Sequence, residues 1–150
     1  MAAERKEWGG VATKDVVENL KRVPLFAGCS TRELQAIALA SRIIMHPAGK
    51  VIAREGDPGI GLFVIGEGEA EVTIGGKKKG ALGPGAFFGE IALLDGGPRT
   101  ATVTATTPIT LYGLTEWTFR GLMHQHPSIA IKILVAMAGR LRDATKAATA

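Results

Sequence analysis

The sequence predicts an α+β domain whose order is helix, antiparallel β-barrel or sandwich, helix. Three observations carry that expectation. Helical periodicity fills the first fifth and the last third of the chain. Between Lys50 and Leu114 it gives way to short β-branched segments. Gly, Pro and Asp separate those segments at close spacing, the pattern of hairpin-connected strands. With 150 residues, 46% of them hydrophobic, the chain is long enough for one proper core in a single domain.

Each element has its own warrant. Val16, Val17 and Leu20 make the apolar face of a first helix that stops at Pro24. A second helix starts in "STRELQAIALA", where Ser30 stands at the N-cap and Glu33 follows at capping-box spacing. It is expected to run to "HPAGK", where Pro47 and Gly49 break the pattern. Strands are expected in "KVIARE", "GLFVIGEGEAEVTI", "KGALG", "TATVTA" and "ITLYGL". Within the second of these, Glu67, Glu69 and Glu71 alternate with small residues, which predicts one shared wet face rather than a metal site. "TEWTFRGLMHQHP" reads as a short helix with Trp117, Phe119, Leu122 and Met123 as its apolar contacts. Pro127 then opens a long helix on which Ala130, Leu134, Met137 and Leu141 form a continuous stripe. That stripe is expected to close over the barrel, to pair with a second copy, or both.

Composition excludes several function classes. No apolar run reaches the ~18 residues of a membrane span. The opening "MAAERKEWGG" has no apolar core of a secretory signal, and the single Cys29 permits no internal disulfide; together they predict a cytoplasmic protein. The formal charge of +4 gathers visibly only at Lys77, Lys78 and Lys79, read as the solvated tip of a hairpin rather than a nucleic-acid surface. His124 and His126, two apart near a helix end, face different ways and predict no metal site. No activated nucleophile or tuned acid pair is apparent, so the protein is not expected to be an enzyme.

The chemistry concentrates in "FFGEIALLDGGPRTATVTA", residues 87–105. Glu90 and Arg99 stand among apolar and small residues, where a lone charge is costly to bury. Either they pair with each other, or each awaits a partner outside the chain. Gly83, Gly85 and Gly89 turn the backbone tightly before "EIALL", whose first N–H groups have no helical acceptor and suit an anion. Asp95, Gly96, Gly97 and Pro98 reverse the chain and bring Arg99, a planar fork of donors suited to phosphate, beside that turn. Ionised Glu90 only accepts, so it suits a pair of hydroxyls such as a ribose edge. Donors for phosphate beside an acceptor for sugar describe a nucleotide pocket. Neither "GGKKKG" nor "GPGAFFG" meets the P-loop or dinucleotide fingerprint, which points to few phosphates and no magnesium.

This segment resembles the phosphate-binding cassette of the cyclic nucleotide-binding domain family. "FFGEIALL" followed by "PRTATV" matches that pattern at nearly every position. "VPLFAGCSTRELQAIA" is similar to the family's N-terminal helical motif, and "GIGLFVIGEGEAEV" to its glycine-bounded strand pair. "LYGLTEWTFRGLMHQHP" is similar to the strand and helix before the lid, so the resemblance covers roughly residues 20–146. It implies an eight-stranded, jelly-roll-like β-roll flanked by N-terminal helices and a C-terminal lid helix. The expected organisation is a tail over 1–12, helical motif and roll over 13–126, lid over 127–147 and a tail over 148–150.

The resemblance also implies roles. Glu90 would accept from the ribose 2′-hydroxyl, and Gly89 would allow close approach to the sugar. The amides of Ile91 and Ala92 and the guanidinium of Arg99 would meet the cyclic phosphate. Thr100 would reach phosphate or purine. Leu134, Met137 or Leu141 would cover the base, with Arg140 a candidate to stack on it. The expected ligand is cyclic AMP, the more widespread one, ahead of cyclic GMP, bound without a metal. The expected partners are an effector protein in a separate chain and a second copy through the last helix. Direct DNA binding is not expected, because no helix-turn-helix follows. Two other classes stay open: a structural interaction module with an empty pocket, and a cupin-type barrel enzyme, which needs clustered histidines.

Overall fold

A computed structural model of the chain describes residues 13–59, 61–90 and 92–149. Helix α1 (Thr13–Leu20) leads through a 3-10 turn at Pro24–Phe26 to α2 (Thr31–Ala40). Strands follow as β1 (Arg42–His46), β2 (Val51–Ala53), β3 (Gly61–Glu67), β4 (Ala70–Ile74), β5 (Lys77–Leu82) and β6 (Phe87–Phe88). A single turn of helix, α3 (Ala92–Asp95), precedes β7 (Thr102–Ala105) and β8 (Ile109–Thr115). Helices α4 (Glu116–Gln125) and α5 (Pro127–Thr149) finish the described chain.

The strands form two antiparallel four-stranded sheets, in the orders β1-β8-β3-β6 and β2-β7-β4-β5. Side-chain alternation divides β3 and β8 between two interiors. Ile65, Ile109 and Leu111 fill the roll with Ala53, Ala70, Val103 and Ala105. Leu62, Val64, Tyr112 and Leu114 turn the other way, onto the helices, where Phe26, Leu34, Ile37 and Phe119 are buried. Strand β8 is therefore covered on both faces and reads as a continuous apolar run. The α+β β-roll with flanking helices is the fold that the sequence predicts.

The capping box forms as its spacing requires: the Glu33 N–H donates to Ser30 Oγ at 3.2 Å, and the Ser30 N–H donates to Glu33 Oε1 at 2.8 Å. The same carboxylate takes on a second task. Ser128 Oγ donates to Glu33 Oε2 and Lys132 Nζ to Oε1, so the first turns of α5 are tied to the start of α2. Buried Ile129 and Ile133 complete this anchor. These bonds hold the Glu33 carboxyl at a pKa of about 2, with the Lys132 bond the largest cause and those from Ser128 and Ser30 behind it. Nearby, burial pushes the Cys29 thiol up, with the Glu33 charge adding to the effect, so it is a poor nucleophile.

Several local expectations are corrected. The second helix ends at Ala40 and residues 42–46 form β1, because "RIIMH" pairs along its whole length with β8. Glu67 and Glu71 do not share a strand: Gly68, at φ 91°, ends β3 and turns the chain into β4. Trp117 is 85% exposed, while Phe119 and Leu122 carry the contacts of α4. On α5 the buried positions are Ile129 and Ile133, with Met137 packed at the margin; Leu134 and Leu141 are each 69% exposed. Helix α5 extends to Thr149, through residues expected to be tail, and the expected N-terminal tail lies outside the described residues. Among the described residues, no group of three or more His, Cys, Asp or Glu is placed to hold a metal ion. No helix among them is long and apolar enough to cross a membrane.

Gly139 lies inside α5, exposed, and a Cβ built on it meets nothing within 4 Å. Glycine at such a site costs a helix about 0.5–1 kcal/mol relative to alanine. Gly139→Ala is therefore expected to stabilise the protein, raising Tm by about 2–4 °C for each kcal/mol gained at this size. A thermal melt followed by circular dichroism measures it; an unchanged or lower Tm would mean that Gly139 serves a bend or a contact in α5.

Candidate functional site

The backbone around Arg99 is clamped by the β2–β3 loop. The Arg99 N–H donates to Asp57 O at 2.8 Å, and Arg99 O accepts from the Gly56 N–H at 2.8 Å. Gly59 N–H donates to Gly97 O at 2.9 Å, and Pro58 bridges Pro98. Asp95 Oδ1 accepts from the Gly97 N–H at 2.8 Å, which shapes the turn between α3 and Arg99. The proline and glycines of "DGGPR" thus set Arg99 in one place.

The Arg99 side chain is buried and reaches inward. Its Nη2 donates to Gly61 O at 2.9 Å, and its Cζ lies 5.7 Å from the centre of the Phe63 ring. Gly89 lies alongside at φ 84°, where a Cβ would overlap both the Arg99 guanidinium and Gly61 O. Only glycine fits there, because the space a side chain needs is taken by the arginine. Burial lowers the Arg99 pKa, as it must for a cation removed from water.

Glu90 and Arg99 do not pair with each other. Glu90 Oε1 lies 2.9 Å from Arg140 Nη1 of α5, with side chains 15% and 39% exposed respectively. Among the described residues, three buried side-chain polar atoms make no hydrogen bond: Glu90 Oε2, Arg99 Nη1 and Arg140 Nη1, so the Glu90–Arg140 ion pair is not aligned as one. Buried polar groups are nearly always satisfied, so this concentration of unmet donors and acceptors is unusual.

Glu90 and Arg99 border a cavity of about 490 Å³. Ala53, Phe88 and Val103 give it apolar walls, while Glu90, Arg99 and Thr100 supply polar groups. Of the residues singled out in the sequence, Gly89, Glu90, Arg99 and Thr100 line this one cavity. Ala92 begins α3, and Ile91 lies outside the described residues. Leu134, Met137, Arg140 and Leu141 are absent from that lining. Arg140 sits on the carboxylate of Glu90 instead. The pairing was readable in principle: Arg140 follows Ile133 by seven residues, and Ile133 follows Ile129 by four, so all share one helix face.

Residues 44–126, more than half of the chain, match the cyclic nucleotide-binding domain family. The chain belongs to that family. It is a family of regulatory sensors, represented among the relatives by receptors, kinase regulatory subunits and channels, not of catalysts. A cyclic nucleotide-gated potassium channel of Mesorhizobium japonicum is 37% identical over 135 residues, covering 82% of this chain and 38% of the channel. The cyclic AMP receptor protein of Thermus thermophilus is 32% identical over 130 residues, covering 83% of this chain and 60% of the receptor. Among solved structures, the N-terminal domain of a transcriptional regulator from Streptomyces coelicolor superposes with a TM-score of 0.79 at 32% identity, covering 86% of this chain and 96% of that one. The chain thus spans about two fifths of the length of the channel it matches.

Proposed function

We propose that this cyclic nucleotide-binding domain binds cyclic AMP in the cavity between α3, Arg99 and β7, and reports occupancy through α5. One observation carries the reading: Arg99 Nη1 and Glu90 Oε2, a cationic donor and an anionic acceptor, are buried at the edge of one cavity with no hydrogen-bond partner. A cyclic phosphate answers the first and a ribose 2′-hydroxyl the second. Gly89 leaves room for the sugar. The amides of Ile91 and Ala92 belong to the phosphate by resemblance to the family cassette, and Thr100 sits within reach of phosphate or base. Cyclic AMP is favoured over cyclic GMP because the Thermus relative is a cyclic AMP receptor protein and the Toxoplasma gondii kinase regulatory domain, a structural neighbour, was crystallised with cyclic AMP.

The mechanism is a population shift. A ligand that touches the roll and α5 together favours the arrangement in which α5 packs against the cavity mouth, and a partner that reads α5 senses the difference. The effector is a separate protein or a further part of a longer chain, and a second copy docked on the exposed side of α5 is a partner of the same kind. Several charge-assisted bonds, less the ordering of α5, correspond to micromolar binding, about −8 kcal/mol.

Calorimetric titration with cyclic AMP and with cyclic GMP tests this, on protein unfolded and refolded to remove any ligand carried through purification. Binding at micromolar levels or tighter, with cyclic AMP ahead, is the expected result. Tighter binding of cyclic GMP would reverse the ligand preference. No heat and no thermal shift with either would leave an interaction module with an idle pocket.

A further inference from the structure

We infer that Arg140 is a positioning residue that ties the distal half of α5 to the sugar of the ligand through Glu90, and so sets a preference for cyclic ribonucleotides over their 2′-deoxy forms. The inference rests on the functional reading above. Helix α5 has two unlike halves. Its first turns are fixed by buried Ile129 and Ile133 and by the bonds from Ser128 and Lys132 to Glu33. From residue 138 to residue 146 every position is exposed except Arg140, whose guanidinium meets Glu90.

One carboxylate then has two tasks. Glu90 Oε1 faces Arg140 at 2.9 Å, while Oε2 is buried without a hydrogen bond. Arg140 therefore does not use up the acceptor that a 2′-hydroxyl needs, and both can act on Glu90 at once. The cation orients the carboxylate, and a hydroxyl donating to Oε2 completes a chain from helix to sugar. The ion pair on Oε1 holds the carboxylate in place, which strengthens a charge-assisted hydrogen bond to Oε2. With a 2′-deoxy ligand Oε2 stays buried and unpaired, and the link to α5 is lost. A half-exposed ion pair contributes little to folding stability by itself, so its role should appear in binding rather than in the melt.

The test is titration of the wild type, Arg140→Gln and Arg140→Lys with cyclic AMP or cyclic GMP, whichever binds, and with its 2′-deoxy analogue. Hydrogen exchange over residues 138–146 is followed in parallel. The wild type should prefer the ribonucleotide roughly tenfold or more, the scale of one charge-assisted hydrogen bond. Arg140→Gln should weaken the ribonucleotide by about tenfold and the 2′-deoxy form much less, shrinking the ratio. Arg140→Lys should restore part of it, and ligand-induced protection of residues 138–146 should fall in Arg140→Gln. In a Glu90→Gln background, Arg140→Gln should have little further effect. Equal losses for both ligands, or an unchanged ratio, would overturn the inference while leaving nucleotide binding intact. Folded wild type that binds no cyclic nucleotide would overturn the functional reading and this inference with it.

Discussion

Arg99→Ala is expected to weaken cyclic nucleotide binding by roughly tenfold to a hundredfold, the loss of one charge-assisted contact of about 1.5–3 kcal/mol. The guanidinium has two separable duties. Nη2 holds Gly61 O at 2.9 Å, while Nη1 is buried and without a hydrogen bond beside the cavity. A cation kept out of water without a carboxylate partner is unfavourable, which is why burial lowers its pKa. A phosphate relieves that cost at the moment of binding. Arg99→Lys is expected to lose most of the affinity as well, since a single ammonium on a flexible stem cannot reproduce the planar fork. Alanine also leaves Gly61 O without its donor, at a cost of about 1–3 kcal/mol of stability. Titration should therefore be done at a temperature where both proteins are folded by circular dichroism. Undiminished affinity in folded Arg99→Ala would remove Arg99 from the phosphate site.

Glu33→Gln is expected to cost roughly 2–3 kcal/mol of stability at neutral pH, among the larger losses for a single side chain outside the apolar core. The folded carboxyl takes a proton only near pH 2, against 4.5 for the ordinary group. A folded pKa below the unfolded one gives stability that is complete above about pH 4.5 and drains away as pH falls from 4.5 towards 2. The wild type should therefore lose stability across that window, and Glu33→Gln should lose less there because its contribution is already gone. Urea denaturation at a series of pH values separates the two proteins. Parallel acid limbs would show that the bonds from Ser128 and Lys132 contribute nothing net. The substitution should also loosen the base of α5, so ligand-linked stabilisation should fall with it.

Much of this molecule is legible in one dimension. Ser30 and Glu33 announce the start of α2 because a capping box is completed within four residues. The cassette is legible because Gly89, Glu90, Pro98 and Arg99 act through short loops whose glycines and proline restrict the path. Strand β1 was hidden. "RIIMH" follows a helical run with no breaker between them, and only pairing with β8, far along the chain, makes it a strand. The two-residue β6 was hidden for the same reason, since Phe87 and Phe88 are a strand only by pairing with β3. The buried face of α5 was misread because "IAIKILVAMA" is apolar nearly all round, so periodicity names several stripes and cannot choose among them.

Sequence by itself determined the class of the fold, the family, and the pair of charges at the centre of the candidate site. Those properties reside in local patterns: strand alternation, caps, turn residues and a contiguous cassette. Tertiary structure alone decided what the charges touch. Arg99 turned to Gly61 O and the Phe63 ring, and Glu90 to Arg140, fifty residues away. Glu33, a local cap, became the anchor of α5 through Ser128 and Lys132. A side chain's partners across the fold depend on how helices and sheets pack, and packing minimises exposed apolar area and unmet buried charge over the whole chain at once. No window of sequence contains that sum.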